Sequence, residues 1–351
     1  MAARTGKLDF LKFYFYNDLE DYPNSTFLYD EDYNDEVCDT TSVVEFASVV
    51  TPAFFSMVIT LSLAGNILVL VILAKYENLK SLTNIFILNL AISDLVFTFG
   101  LPFWASYHIW GWTFGWILCK TVNFVFYTGF YSSILFLTVM TFHRYLAVVY
   151  PLSDHGSQRG CYGVTVSLVI WMVSFGVAVP ALIFSSVQNH VHDKGYRLYC
   201  EYNDLNWRNV SSYQQMVFFL GAFMVMGFCY IMILKTVFRS RSHMRTRTVK
   251  LIFSIVAVFF LGWAPYNVVI LLMLLTKNNT CDSNKILDYG LSVCRLIAFS
   301  HCCLNPVFYA FVGTKFRKHL QSILQKCFHR RSTMEAQQNR PAIIPSMGSM
   351  Y

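Results

Sequence analysis

Charge is scarce in this sequence. Only 13% of its 351 residues are Asp, Glu, Lys or Arg, where a soluble globular domain carries about 25%. With 55% hydrophobic residues and a mean hydropathy of +0.45, that shortfall excludes a pair of ordinary soluble domains. Internal repetition at solenoid or propeller spacing is missing as well. The ten cysteines include no CxxC pair and no Cys/His spacing of the metal-binding kind. His301-Cys302-Cys303 does not supply one, because neighbours on a helix point about 100° apart. The first thirty residues lack an apolar core between a basic start and a small-residue cleavage site. No cleaved leader is therefore expected, and the first apolar segment is expected to act as the insertion signal.

What the chain does have is seven long apolar stretches, at 46–74, 82–109, 116–142, 161–187, 212–234, 249–276 and 286–312. Each exceeds the ~20 helical residues that cross a hydrocarbon layer of about 30 Å. Lipid supplies no hydrogen-bond partners, so the segments must be helices that satisfy their own backbone. The expected fold is all-α, a seven-transmembrane helix bundle over 46–312. A polar tail at 1–45 precedes it and another at 313–351 follows it.

The net charge of +7 divides unevenly. The connections 75–81, 143–160 and 235–250, together with 313–351, hold seventeen of the 27 basic residues and three of the 20 acids. That side nets +14, and the remainder nets −7. The positive-inside rule puts the basic side in the cytoplasm, which leaves the amino terminus extracellular. A multi-pass protein of the plasma membrane is expected.

The amino-terminal tail carries ten acids within 1–40 against Arg4, Lys7 and Lys12. Tyr14, Tyr16, Tyr22, Tyr29 and Tyr33 lie among them. Such a segment buries too little apolar surface to fold alone. Its physical use is to attract and wrap a basic partner, and tyrosines beside acids can be sulfated to add charge. Asn24, Asn209 and Asn278 head glycosylation sequons, all on the outer side. Four cysteines also lie outside: Cys38, Cys119, Cys200 and Cys281. An oxidising compartment favours pairing them, in one of three connectivities. A Cys119–Cys200 bridge would pin the longest outer loop over the bundle. Cys38–Cys281 would then tie the tail to the last outer loop.

Within the segments, ionisable residues are few and costly. Asp94 sits mid-segment 2, with Asn66, Ser133 and Asn305 at comparable depth. A buried carboxylate needs a proton, partners or a cation. Asp94 and Ser133 are the candidates for a Na⁺ site, and no other metal or cofactor is expected. Arg144 is placed at the end of segment 3, 25 residues after Cys119. At about 1.5 Å per residue that rod spans the membrane. Pro102, Pro180, Pro265 and Pro306 interrupt segments 2, 4, 6 and 7, and kinks with two packings suit a switch. After segment 7, 314–327 reads as an amphipathic interfacial helix with Phe316, Leu320, Ile323 and Leu324 on one face. Cys327 is placed there for palmitoylation. The bilayer is thus one partner, and a nucleic acid is not expected.

Gly65-Asn66, Asn89-Leu90-Ala91-Ile92-Ser93-Asp94, Trp171, Trp263-Ala264-Pro265-Tyr266 and Asn305-Pro306-Val307-Phe308-Tyr309 fall in order along the segments. In them the chain resembles the rhodopsin-like G-protein-coupled receptors over about 46–327. Leu101-Pro102-Phe103-Trp104, Trp112-Thr113-Phe114-Gly115 and Phe311-Val312-Gly313-Thr314-Lys315-Phe316-Arg317 narrow the likeness to the chemokine receptors. The Cys38/Cys281 pair and the acidic tail fit that family too. Ser81-Leu82-Thr83-Asn84, His143-Arg144-Tyr145 and Phe238-Arg239-Ser240-Arg241-Ser242 resemble the lymphotactin (XC) type.

The resemblance implies a small basic chemokine as ligand, held by the tail and by a pocket of Trp104, Tyr127, Glu201, Tyr266, Asp288 and Arg295. It implies a G protein, of the Gi class, answering through His143, Arg144, Tyr145, Tyr230, Trp263, Pro265, Asn305, Pro306 and Tyr309, with calcium signalling and chemotaxis downstream. Arrestin is a further expected partner, and no covalent chemistry is expected. Three departures from the wider family stand out. His143 replaces the usual Asp, which weakens the expected acid–arginine restraint. Segment 5 lacks its usual proline, and Arg295 stands where many relatives carry glutamate. The alternatives are a non-signalling scavenger or a receptor for a CC-type chemokine. A channel or transporter would show broken helix pairs or charged rings along a pore, and a membrane enzyme would show catalytic residues clustered at one depth; neither pattern is present.

Replacing the ten tail acids by amides should slow capture of a basic ligand about tenfold or more at low salt. The difference should shrink as salt rises. Association rates measured across a salt series check this; equal rates at all salts count against the electrostatic role of the tail.

Overall fold

In a computed structural model, residues 41–79, 81–150, 159–192, 195–239, 246–275, 281–312, 316–322 and 325 are described. The helices α1 (Thr41–Tyr76), α2 (Leu82–Trp110), α3 (Gly115–Val149) and α4 (Arg159–Phe184) come first. A hairpin of β1 (Ser185–His192) and β2 (Gly195–Tyr202) follows. Then come α5 (Leu205–Arg239), α6 (Thr246–Leu275), α7 (Cys281–Phe299) and α8 (His301–Val312). Residues 316–322 form a further helical stretch. Seven helical spans are long and apolar enough to cross a membrane, the seventh built from α7 and α8 together.

The spans sit where the apolar stretches predict them, with differences at their ends. The fourth stops at Phe184, and residues 185–187 open β1 instead. This hairpin is a short addition to an otherwise helical chain; it pairs antiparallel from Ser185 with Tyr202 to His192 with Gly195. α5 begins seven residues earlier than the apolar run, at Leu205. α3 continues five residues past Arg144, so that arginine lies inside the helix and not at its end. Pro52 also sits within a helix, α1, beside the four prolines singled out from sequence.

Large apolar side chains face outward along the spans, among them Leu168 and Met172 on α4 and Val217, Met224 and Phe228 on α5. In water these would be a liability; against lipid tails they cost nothing. α3 is the inner staff, with a far larger share of its residues buried than α4 or α6.

Without a hydrophobic drive between helices, small residues and side-chain hydrogen bonds join them. Trp171 donates through Nε1 to Asn89 Oδ1 at 3.0 Å, and Asn89 Nδ2 donates to Ser167 Oγ at 3.2 Å, tying α2 to α4. Gln214 of α5 donates to the Val177 carbonyl at 2.8 Å, in the turn that Pro180 disrupts, and to the Tyr131 hydroxyl of α3 at 3.1 Å. Pro306 lacks the N–H that would pair with the Cys302 carbonyl four residues back. Asn66 Nδ2 of α1 supplies that donor at 2.8 Å and Ser62 Oγ a second at 3.3 Å. A Cβ on Gly65 would stand 2.8 Å from the Pro306 ring, so glycine is what lets α1 come close enough. The Gly65-Asn66 pair is thus the complement of Pro306.

Gly129 of α3 is tighter still. A Cβ there would lie 2.4 Å from the Phe97 backbone nitrogen on α2. Gly129→Ala must push the two helices apart and should cost about 1–3 kcal/mol. Gly176→Ala meets nothing within 4 Å and serves as the control. Thermal unfolding of the purified pair should show a lower Tm for the first only; equal values would refute the close approach.

Candidate functional site

At the hairpin end, Cys119 of α3 is disulfide-bonded to Cys200 of β2. This is the first of the two expected bridges. Cys38 lies outside the described residues, and Cys281 is placed by its helix alone. Asn123 Nδ2, one turn below Cys119, donates to Ser185 Oγ at 3.1 Å and contacts Cys200 Sγ at 3.2 Å. The α2–α3 connection joins the same assembly: Trp112 N donates to the Leu198 carbonyl at 2.8 Å. Gly111 at φ 79° and Gly115 at φ 77° turn the chain through the left-handed region that a side chain would resist. Together these fix the hairpin over the end of the bundle.

Below it lie the residues expected to meet a ligand. Trp104 packs edge-on to Tyr107 at 5.6 Å and near Phe126 at 6.2 Å, and Tyr127 stacks with Tyr131 at 6.3 Å. Asp288 and Arg295 are both buried and, seven residues apart, share one face of α7. Glu201 is already engaged. Its Oε2 accepts from Arg208 Nη2 of α5 at 3.1 Å, in an ion pair nearly removed from solvent. Glu201, expected among the pocket residues, thereby joins β2 to α5. Arg208 went unnoticed in the sequence because it sits just outside the apolar run.

Aromatic rings continue inward. Phe126 meets Phe299 at 5.1 Å, Phe299 meets Trp263 at 5.8 Å, and Trp263 meets Phe130 at 4.5 Å. Tyr266 stands edge-on to Trp263 at 5.6 Å. His301 lies 4.7 Å from Phe97 and 5.4 Å from Trp263, its Nδ1 at 2.8 Å from the Ala298 carbonyl.

Beneath this column is a polar cluster. Asp94 Oδ1 accepts from Ser133 Oγ at 3.1 Å, and Oδ2 accepts from Asn305 Nδ2 at 2.7 Å. Ser62 and Thr98 share a 2.6 Å hydrogen bond beside them, and Thr98 Oγ1 donates to the Asp94 carbonyl at 2.6 Å. All are buried. The sequence placed Asp94, Ser133 and Asn305 at one depth, and the structure brings them into contact. Their oxygens suit a hard cation such as Na⁺, and buried Asn66 Oδ1, without a hydrogen-bond partner among the described residues, adds one more acceptor nearby on α1. Among the described residues no three His, Cys, Asp or Glu side chains gather as ligands for another metal.

At the opposite end, Arg144 Nη2 donates to Thr83 Oγ1 of α2 at 2.6 Å. His143 packs edge-on to Phe86 at 6.2 Å, and Tyr145 contacts Tyr150 and Phe228 at 5.9 and 6.0 Å. Tyr230 is buried against Phe253 of α6, 5.2 Å between rings. Pro265 and Pro306 lie inside α6 and α8, and Tyr309 is placed by α8 alone. Tyr14, Tyr16, Tyr22, Tyr29, Tyr33, Asn24 and Asn278 lie outside the described residues. Asn209 falls within α5, and Ser211 of its sequon is buried with its hydroxyl bonded to Tyr202 at 3.0 Å.

Residues 65–309 match the family described as 7 transmembrane receptor (rhodopsin family). The polar centre, the proline-broken seventh span and the bridged hairpin belong to a chain of that class. Over 326 residues the chain is 45% identical to human (Homo sapiens) chemokine XC receptor 1, covering 92% of this chain and 94% of that one. The mouse (Mus musculus) chemokine XC receptor 1 is 44% identical over 313 residues, 88% and 94% of the two chains. C-C chemokine receptor type 3 of Cavia porcellus is 36% identical over 323 residues, 90% and 87%. The chain belongs to the chemokine receptor family of rhodopsin-like receptors, which is not a family of enzymes.

Asn66→Leu should leave the Cys302 carbonyl without its shorter donor inside the bilayer, at a cost of about 1–3 kcal/mol. Leu168→Ala on the lipid-facing side of α4 is the comparison. Unfolding in detergent should show a lowered Tm for the first and little change for the second; the reverse order would refute the capping role.

Proposed function

We propose that this chain binds a small basic chemokine of the lymphotactin (XC) type at its hairpin end. In reply it activates a heterotrimeric G protein of the Gi class at the Arg144 end. The observation that carries this reading is the 45% identity, over nearly the full length of both chains, with human chemokine XC receptor 1. The charge split supports placing the hairpin end and the acidic tail outside the cell, with the protein in the plasma membrane. The tail captures the ligand's folded body, and sulfation of its tyrosines would strengthen that capture. The ligand's flexible end then enters among Trp104, Tyr127, Tyr266, Asp288 and Arg295. Ligand binding shifts the population toward a state in which α6 swings away from Arg144. Na⁺ held by Asp94 and Ser133 would favour the resting arrangement by neutralising the buried carboxylate where α2, α3 and α8 meet. Arrestin binds the same inner face after activation. The 316–322 helix and Cys327 hold the tail to the bilayer.

A panel of labelled chemokines on cells expressing the chain tests the proposal. An XC-type ligand should bind and drive nucleotide exchange that pertussis toxin abolishes. Binding without exchange would leave a scavenger, and saturable binding of CC-type ligands alone would move the specificity to that class.

A further inference from the structure

Arg144 has a neutral partner. Its Nη2 donates to the Thr83 hydroxyl at 2.6 Å. Among the described residues no carboxylate lies within ion-pair distance of it, and His143 fills the adjoining position with its ring against Phe86. Thr83 and Phe86 lie three residues apart on α2, so one face of α2 receives both members of the pair. Thr83 is also a fixed post. It is the second residue of α2, and next to it Asn84 Nδ2 donates to the Asn78 carbonyl at 3.1 Å and to Glu77 Oε2 at 3.4 Å. Glu77 Oε1 in turn stands 3.5 Å from His319 Nε2, and the His319 ring stacks on Tyr76 at 5.0 Å. The connection between α1 and α2 is therefore braced from both sides, and the 316–322 helix is tied to the same brace.

We propose that Thr83 is the positioning residue that holds Arg144 in the resting receptor, through a single hydroxyl in place of an acid. This rests on the reading of Arg144 as the group that α6 uncovers for the G protein. A charged donor's bond to a neutral hydroxyl is weaker than its pairing with a carboxylate inside the protein. The resting state is thus held by a partner whose removal shows directly as ligand-free activity. The hydroxyl, and not the bulk of the side chain, is what matters, so the shape-matched valine separates the two.

Thr83→Val should raise ligand-free nucleotide exchange about tenfold, with ligand-driven maximal exchange little changed; Thr83→Ser, which keeps the hydroxyl, should bring the ligand-free rate back down. His143→Asp in the Thr83→Val background should lower it again, because a carboxylate then stands beside the arginine. Spin labels at the inner ends of α2 and α6 read the same shift without any G protein, as a larger share of long distances in Thr83→Val. Unchanged ligand-free exchange and unchanged distances in Thr83→Val overturn the proposal, as does a Thr83→Ser that behaves like valine. Should Thr83→Val not reach the membrane, His143→Asp alone decides. It must lower ligand-free exchange and narrow the distance distribution, and no change in either overturns the proposal. Failure of every chemokine to drive exchange would sink the functional reading but not the distance result.

Discussion

Asp94 is the point on which the bundle turns. A carboxylate at full burial is costly in lipid unless its oxygens are occupied. Here α3 provides the Ser133 hydroxyl and α8 the Asn305 amide. Three helices are thereby brought to one atom group. The same depth holds the repair of the Pro306 break, where α1 donates through Asn66 and Ser62 to the Cys302 carbonyl. Four of the spans therefore meet through polar contacts that lipid cannot replace. Their number and closeness make the centre stiff as a unit, yet each is a replaceable hydrogen bond. A cluster of this kind can adopt a second arrangement without exposing a charge to hydrocarbon.

That property gives the aromatic column above it a mechanical meaning. Rings from Trp104 through Phe126, Phe299 and Trp263 are in van der Waals series between the hairpin end and the polar centre. Packed rings do not compress, and packed cores shift between discrete arrangements. A ligand that displaces Trp104 or Tyr266 must move neighbours, and the next neighbours are Phe299 and His301 at the α7–α8 junction. This is spatial continuity; coupling is demonstrated only by two-state behaviour at both ends.

Much of this was legible in the sequence. Segment length and hydropathy located all seven spans, and the mid-segment polar residues marked the centre, because lipid makes polar residues conspicuous. The Gly65-Asn66 and Pro306 motifs were visible as letters, but their complementarity was not, since it depends on an α1–α8 approach that no local pattern encodes. Three kinds of feature escaped. The strands Ser185–His192 and Gly195–Tyr202 lie outside the seven spans, where hydropathy is silent, and they are fixed by the Cys119–Cys200 bridge and by Asn123. The Glu201–Arg208 pair joins a strand to a helix end, so neither periodicity nor spacing predicts it. Thr83 is an ordinary residue in a helix's first turn, and only its distance to Arg144 distinguishes it.

The last of these bears on how the two ends of the molecule differ. At the hairpin end an acid and an arginine, Glu201 and Arg208, are paired in a low-solvent setting, and taking away either partner would strand a buried charge. That end is built to stay put. At the other end an arginine of equal charge is met by a hydroxyl, and letting go leaves no anion behind. The asymmetry between a charge-paired end and a neutral-paired end follows from the residues present: one end resists rearrangement, and the other can exchange its partner at little electrostatic cost.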